Sequence, residues 1–271
     1  MLLLRGSIVF YWLYGSPPKV VARHARDAGI RSLAVKCGDS GVWWPQYRKL
    51  APYLDIRGIE RPAWAYNRPT TIDGDVRVAA AARAAGAPAF IADMEQEYMG
   101  QPLAARLYGR ILRRRLGKDY PIYVTTFSSP LMQPNFPWAE VAEWADGLIP
   151  QWYACAYPGG NIRLEAEQSY PSVAALGKPV LPAVPLYGST NEADVEEVAR
   201  LGRHFNSKAI LWWRFGTGTQ RMLETAARMH VGDAGSTKRP RPERPASALY
   251  GARTHAAAAG PYEDPTAGMG R

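Results

Sequence analysis

The stretch Ala89-Phe90-Ile91-Ala92-Asp93-Met94-Glu95-Gln96-Glu97-Tyr98 joins an apolar run to three acidic residues at alternate positions. The apolar run reads as a buried β-strand. Successive strand side chains point to opposite faces, so Asp93, Glu95 and Glu97 are expected on one face, about 6.5–7 Å apart from one to the next. Crowded carboxylates raise one another's pKa. Acid catalysis on a glycosidic bond needs such a cluster, with one group protonated to donate and another ionised to stabilise developing positive charge. The competing reading is a solvated acidic loop; the apolar residues before it and Tyr98 after it favour the strand.

Outward from this stretch, β-rich runs alternate with amphipathic or Ala/Arg-rich segments. Candidate strands are 8–14, 32–37, 61–66, 89–95, 121–126, 147–153, 179–186 and 209–215. Their spacing of about 24–34 residues is one strand plus one helix with its turns, which predicts an α/β fold, a (β/α)8 TIM barrel. Helix signals agree: Pro17-Pro18 opens a helix closed by Gly29, Asp73 precedes an Ala-rich run ending at Gly86, Pro102 opens a segment ending at Gly117, and Asn191 begins another running to Phe205. A doubly wound open sheet would carry a glycine-rich first turn, which Tyr14-Gly15-Ser16-Pro17-Pro18 is not. The barrel is assigned to residues 1–231. Residues 232–271, rich in Pro, Gly, Ala and Arg, are expected to form a flexible or partner-ordered tail, with 238–244 an extended cationic arm or an inert linker.

Of the 271 residues 47 % are apolar, with nine Trp and fifteen Tyr, enough to build a core and to line a groove for flat ligands. The net charge of +9 suggests attraction to polyanions. No zinc-finger spacing, recognition helix or aromatic nucleic-acid signature accompanies it, so nucleic acid is not the favoured partner. Cys37 and Cys155 form no Cys-x-x-Cys pair and imply no disulfide framework. The opening Met1-Leu2-Leu3-Leu4-Arg5 is too short an apolar run for a signal peptide, and no stretch spans a bilayer. The expectation is synthesis in the cytoplasm, with release to the cell wall or association with a virion through some other route.

Active sites of barrels lie at the carboxyl ends of the strands. Those ends offer Tyr11, Trp12 and Tyr14; Lys36, Asp39, Trp43 and Trp44; Trp64, Tyr66 and Asn67; the acidic cluster; Thr125 to Ser128; Gln151, Trp152 and Tyr153; Tyr187; and Trp212, Trp213 and Arg214. Acids ringed by aromatic, amide and hydroxyl groups suit a polyhydroxylated ligand better than a phosphate. The four histidines are scattered, His24 and His204 on outer helices, so neither a metal site nor a Ser-His-Asp triad is expected, and no cofactor.

At these residues the chain resembles barrel glycosidases that cut amino-sugar polymers. Asp93-Met94-Glu95-Gln96-Glu97-Tyr98 is similar to the Asp-x-Asp-x-Glu-Tyr signature of chitinase-like glycoside hydrolase family 18. Val184-Pro185-Leu186-Tyr187-Gly188 resembles that family's seventh strand, Gln151-Trp152-Tyr153 its sixth and Trp213 its eighth-strand Trp. The resemblance implies Glu97 as proton donor, Glu95 as orienter of the substrate acetamido group and Tyr153 as support for the intermediate. Lysozyme-like family 25 offers another register, in which Asp93-Met94-Glu95 matches an Asp-x-Glu strand end, Ala34-Val35-Lys36 its second strand, and Glu95 is the acid. The span 32–215 also looks like a less defined group of barrels, some encoded near phage tail and lysis functions, sharing the acidic strand, Phe136-Pro137-Trp138 and Pro150 to Tyr153. The first strand lacks the Asp of family 25, and Ala154 stands where family 18 has Asp.

Together these imply a glycosidase acting on an amino-sugar polymer, with peptidoglycan as expected substrate. Asp93, Glu95, Glu97 and Tyr153 are the catalytic candidates, and Tyr11, Trp12, Asp39, Trp64, Tyr66, Gln151, Tyr187 and Trp213 the substrate-binding ones. The alternative is a non-catalytic glycan-binding or structural barrel, such as a phage tail-tip component, anchored to a virion or other protein by its tail.

Overall fold

The computed structural model describes residues 4–12 and 16–229. In chain order the elements are β1 (Gly6–Tyr11), α1 (Pro18–Asp27), β2 (Leu33–Asp39), β3 (Val42–Trp43), α2 (Gln46–Asp55), β4 (Ala63–Tyr66), α3 (Ile72–Ala84), β5 (Phe90–Asp93), α4 (Pro102–Leu116) and β6 (Ile122–Thr126). They continue with α5 (Trp138–Trp144), β7 (Gly147–Pro150), α6 (Ile162–Ala174), β8 (Ala183–Pro185), α7 (Glu192–His204), β9 (Ala209–Trp213) and α8 (Gln220–Arg228). Eight strands pair in parallel in the order β7-β6-β5-β4-β2-β1-β9-β8, and β3 folds back antiparallel on β2. Bridges from Leu148 to Val180 and from Gln151 to Ala183 join the two ends of this series, bringing the sheet close to a full ring. This is the expected (β/α)8 architecture. The predicted tail at 232–271 and Tyr14 lie outside the described residues.

Strand alternation gives the sheet two apolar faces. Val9, Val35, Ala65, Ala92 and Val124 pack outward against the helices. Ile8, Phe10, Ala34, Trp64, Ile91, Tyr123, Ile149, Ala183 and Leu211 fill the barrel. Trp64, Trp152 and Trp212 are fully buried, so part of the aromatic excess is core. The helix signals are realised with identifiable caps. Asn191 accepts from the Ala193 and Asp194 N–H groups, and Asp194 accepts in return from the Asn191 N–H, a reciprocal box at the start of α7. Gly117, with φ +85°, ends α4 where a side chain would be strained.

The strands predicted at 8–14, 147–153 and 209–215 end early, at Tyr11, Pro150 and Trp213, and two others need fuller correction. The strand predicted at 179–186 is reduced to Ala183–Pro185, because Pro179 and Pro182 have no N–H to give a ladder. The strand predicted at 89–95 ends at Asp93, and Gln96–Tyr98 is a single 3₁₀ turn. The Tyr98 N–H bonds the Glu95 carbonyl at 2.9 Å, and the Tyr98 ring is fully buried beside Tyr108 on α4, drawing the chain out of the ladder. Among the described residues no helix is long and apolar enough to cross a membrane.

Candidate active site

The carboxyl ends of the strands carry a floor of indoles. Trp12, Trp64 and Trp213 meet edge to face, with ring centroids 5.3–5.7 Å apart, above Phe10. Inward parity decides membership. Phe10 and Trp12 point into the barrel, so Tyr11 between them points out, where it is buried against Phe215. Tyr11 is therefore not a mouth residue, contrary to expectation. Trp64 is inward but wholly buried, its indole N–H donating to the Tyr11 carbonyl at 3.1 Å. It supports the floor and offers no surface to a ligand. Trp12 and Trp213 are partly open.

The acids do not form the evenly spaced row of one strand face. Asp93, 6 % exposed, ends β5 inside the barrel beside Glu95, and its buried Oδ1 has no hydrogen-bond partner. Burial and the adjacent Glu95 charge push Asp93 well above the usual carboxylate range, against the pull of Lys36. Burial also raises Glu95, and the Gln151 amide, donating to its Oε1 at 2.7 Å, holds it back. Glu95 is the member that faces Gln151, one residue beyond β7.

Glu97 sits apart, on the 3₁₀ turn. Its Oε2 accepts from the Tyr66 hydroxyl at 2.6 Å and its Oε1 pairs with the Arg68 guanidinium at 2.7 Å. Arg68 Nε donates to Ser40 Oγ at 2.7 Å, and Ser40 Oγ donates to Asp39 Oδ1 at 2.8 Å. The chain ends on Lys36, whose ammonium donates to Asp39 Oδ2 at 2.7 Å. Asp39, Tyr66 and Glu97 are therefore linked in one polar band along the rim. On the opposite side Tyr153 and Tyr187 meet edge to face at 6.4 Å.

Lys36 was read from sequence only as one of several strand-end residues. It is fully buried, its ammonium 3.7 Å from the Trp12 ring, 4.4 Å from Trp44 and 5.0 Å from Trp64. Burial lowers its pKa, and the bond to Asp39 opposes that shift. An inward Lys two positions after inward Ala34 was the available signal. Glu165 on α6 had none: it accepts the Ala154 N–H at 2.7 Å, fastening the loop that carries Tyr153. Only the folded chain brings it there.

No family model and no curated protein matches this sequence. Solved structures match it in fold. The spore cortex-lytic enzyme SleL of Bacillus cereus superposes with a TM-score of 0.66 at 11 % identity, over 84 % of this chain and 74 % of that one. A fungal endo-β-N-acetylglucosaminidase of glycosyl hydrolase family 18 gives 0.60 at 13 % identity, over 84 % and 98 %. A family 18 N-acetylglucosaminidase from Paenibacillus barengoltzii gives 0.57 at 10 % identity, over 82 % and 98 %. This chain shares the barrel of glycoside hydrolases, the fold its motifs resemble.

Proposed function

We propose that the chain is a glycoside hydrolase acting on an amino-sugar glycan, with peptidoglycan as its substrate and Glu95 as the general acid. The observation that carries this reading is buried Asp93 and half-buried Glu95 together at the carboxyl end of the barrel, Glu95 held by Gln151 at 2.7 Å, with a partly open aromatic floor at the same end. Glu95, raised by burial, gives its proton to the glycosidic oxygen as the bond to the sugar carbon breaks. The carboxylate left behind accepts from Gln151 and stabilises the positive charge on the sugar, and the water that adds to that carbon returns its proton to Glu95. Trp12 and Trp213 stack on the sugar, and Tyr153 and Tyr187 border it. Glu97, with both oxygens engaged by Tyr66 and Arg68, serves as a fixed negative charge at the rim. The fold likeness to SleL and the family 18 enzymes supports the substrate class.

Replacing each acid by its amide and measuring reducing ends released from cell walls tests this. Glu95→Gln is expected to lose about 10²–10⁴-fold in rate, and Glu97→Gln less. Unchanged release in Asp93→Asn, Glu95→Gln and Glu97→Gln removes the proposal. A glycan-binding barrel is the second reading, favoured by the engagement of both Glu97 oxygens, since Glu97 aligns with the family 18 acid. Tight glycan binding by the intact chain without turnover selects it.

A further inference from the structure

The cations at the carboxyl end of the barrel are not equivalent. Lys36 is bonded to Asp39, and Arg68 to Glu97. Arg214, immediately after β9, pairs with no carboxylate among the described residues. Its guanidinium lies 5.3 Å from the Trp12 ring and 5.9 Å from Trp213, the two partly open indoles of the floor. The backbone beneath it is held firmly. Thr217 Oγ1 donates to the Arg214 carbonyl at 2.9 Å, and the Phe215 N–H donates to the Phe10 carbonyl at 2.9 Å.

A guanidinium carries its N–H donors in a planar fork, the geometry that meets a carboxylate with two hydrogen bonds. The rim acids Asp39 and Glu97 are already held by Lys36 and Arg68. What remains at this side of the mouth is a guanidinium with no ion pair among the described residues, beside two partly open indoles.

We propose that Arg214, Trp12 and Trp213 form a subsite for a sugar ring that bears a carboxylate, so that the site selects acidic amino-sugar glycans over neutral ones. The indoles stack on the sugar face while the guanidinium takes the carboxylate. The inference rests on the glycan-hydrolase reading for its ligand class, but not on turnover.

The test is calorimetric binding to the full chain carrying Glu95→Gln, which keeps ligands intact. Three ligands of matched length are compared: peptide-free peptidoglycan strands, whose carboxylate is on a lactyl ether; hyaluronan oligosaccharides, whose carboxylate is a uronate; and neutral N-acetylglucosamine oligomers. At least one acidic ligand is expected to bind about tenfold or more tightly than the neutral one, as a charge-assisted pair warrants. Which acidic ligand does so identifies the carboxylate source. Adding Arg214→Gln is expected to abolish the preference and Arg214→Lys to restore part of it. Should Arg214→Gln fail to fold, the preference in the unsubstituted site must still shrink as salt is raised. Equal binding of acidic and neutral ligands, a preference that survives Arg214→Gln, or no binding at all overturns the subsite. An Arg214-dependent preference with no reducing ends released by the unmodified chain upholds the subsite and removes the hydrolase reading instead.

Discussion

Gln151 Nε2 stands 2.7 Å from Glu95 Oε1, a bond across the mouth from the end of β7 to the residue two beyond the end of β5. An amide N–H donated to a carboxyl favours its ionised form, so this bond opposes the rise that burial imposes on Glu95. Gln151→Leu is expected to raise Glu95 further and move the alkaline limb of kcat/KM against pH upward, because the acid keeps its proton longer. At the old optimum kcat/KM should fall about two- to tenfold, the worth of one neutral hydrogen bond. A limb that moves downward contradicts the role given to Glu95.

Asp93 gives a second pH test. Its folded-state pKa is raised above the ordinary 3.8, so the stability gained by keeping it neutral is full below 3.8 and is lost as pH rises through the folded value. Asp93→Asn has no such loss. Urea denaturation of the two proteins should therefore diverge above pH 3.8, with the Asn form gaining relative stability as pH rises. Parallel curves would show that Asp93 is not held neutral.

Glu165 is also raised, from 4.5 to about 7, chiefly by burial and against the N–H groups of Ala154 and Tyr153. The sign is the same: stability is full below pH 4.5 and declines between 4.5 and about 7. Glu165→Gln keeps an acceptor for the Ala154 N–H and should flatten that window. The shift corresponds to at most about 3 kcal/mol. Thermal melts between those pH values check it, with a simultaneous rise in KM if the Tyr153 loop loosens.

Gly188 closes the rim. Its φ is +68°, and a Cβ there would lie 2.2 Å from the Ala156 carbonyl oxygen, while the Ser189 N–H bonds that same oxygen at 2.9 Å. Gly188→Ala combines backbone strain with a backbone clash, a cost of about 1–3 kcal/mol. It should also spread the loops bearing Tyr153 and Tyr187. Raised KM with a modest change in kcat, alongside the lower Tm, is the expected pattern; an unchanged KM speaks against a binding role for the tyrosine pair.

Much of the site was legible because it follows strand parity. Apolar runs at a repeat of one strand and one helix announced the barrel, and the strand-end residues Trp12, Asp93, Gln151 and Trp213 followed from it. Taking strand-end residues together misassigned Tyr11, which alternation places outward between inward Phe10 and Trp12. Parity misplaced Glu97, since a period of two holds only while the ladder lasts, and Tyr98 leaves the ladder to bury its ring against α4.

The sequence by itself determined the alternation of elements, the helix caps and the chemical types gathered at one end of the barrel, because these depend on neighbours a few positions apart. The tertiary structure alone decided which acid is buried and which is ion-paired. Asp93 and Glu95 differ from Glu97 through Gln151, Lys36, Tyr66 and Arg68, groups on other strands or on the loops that follow them. Desolvation and pairing depend on distance through space, which the closing of the ring sets.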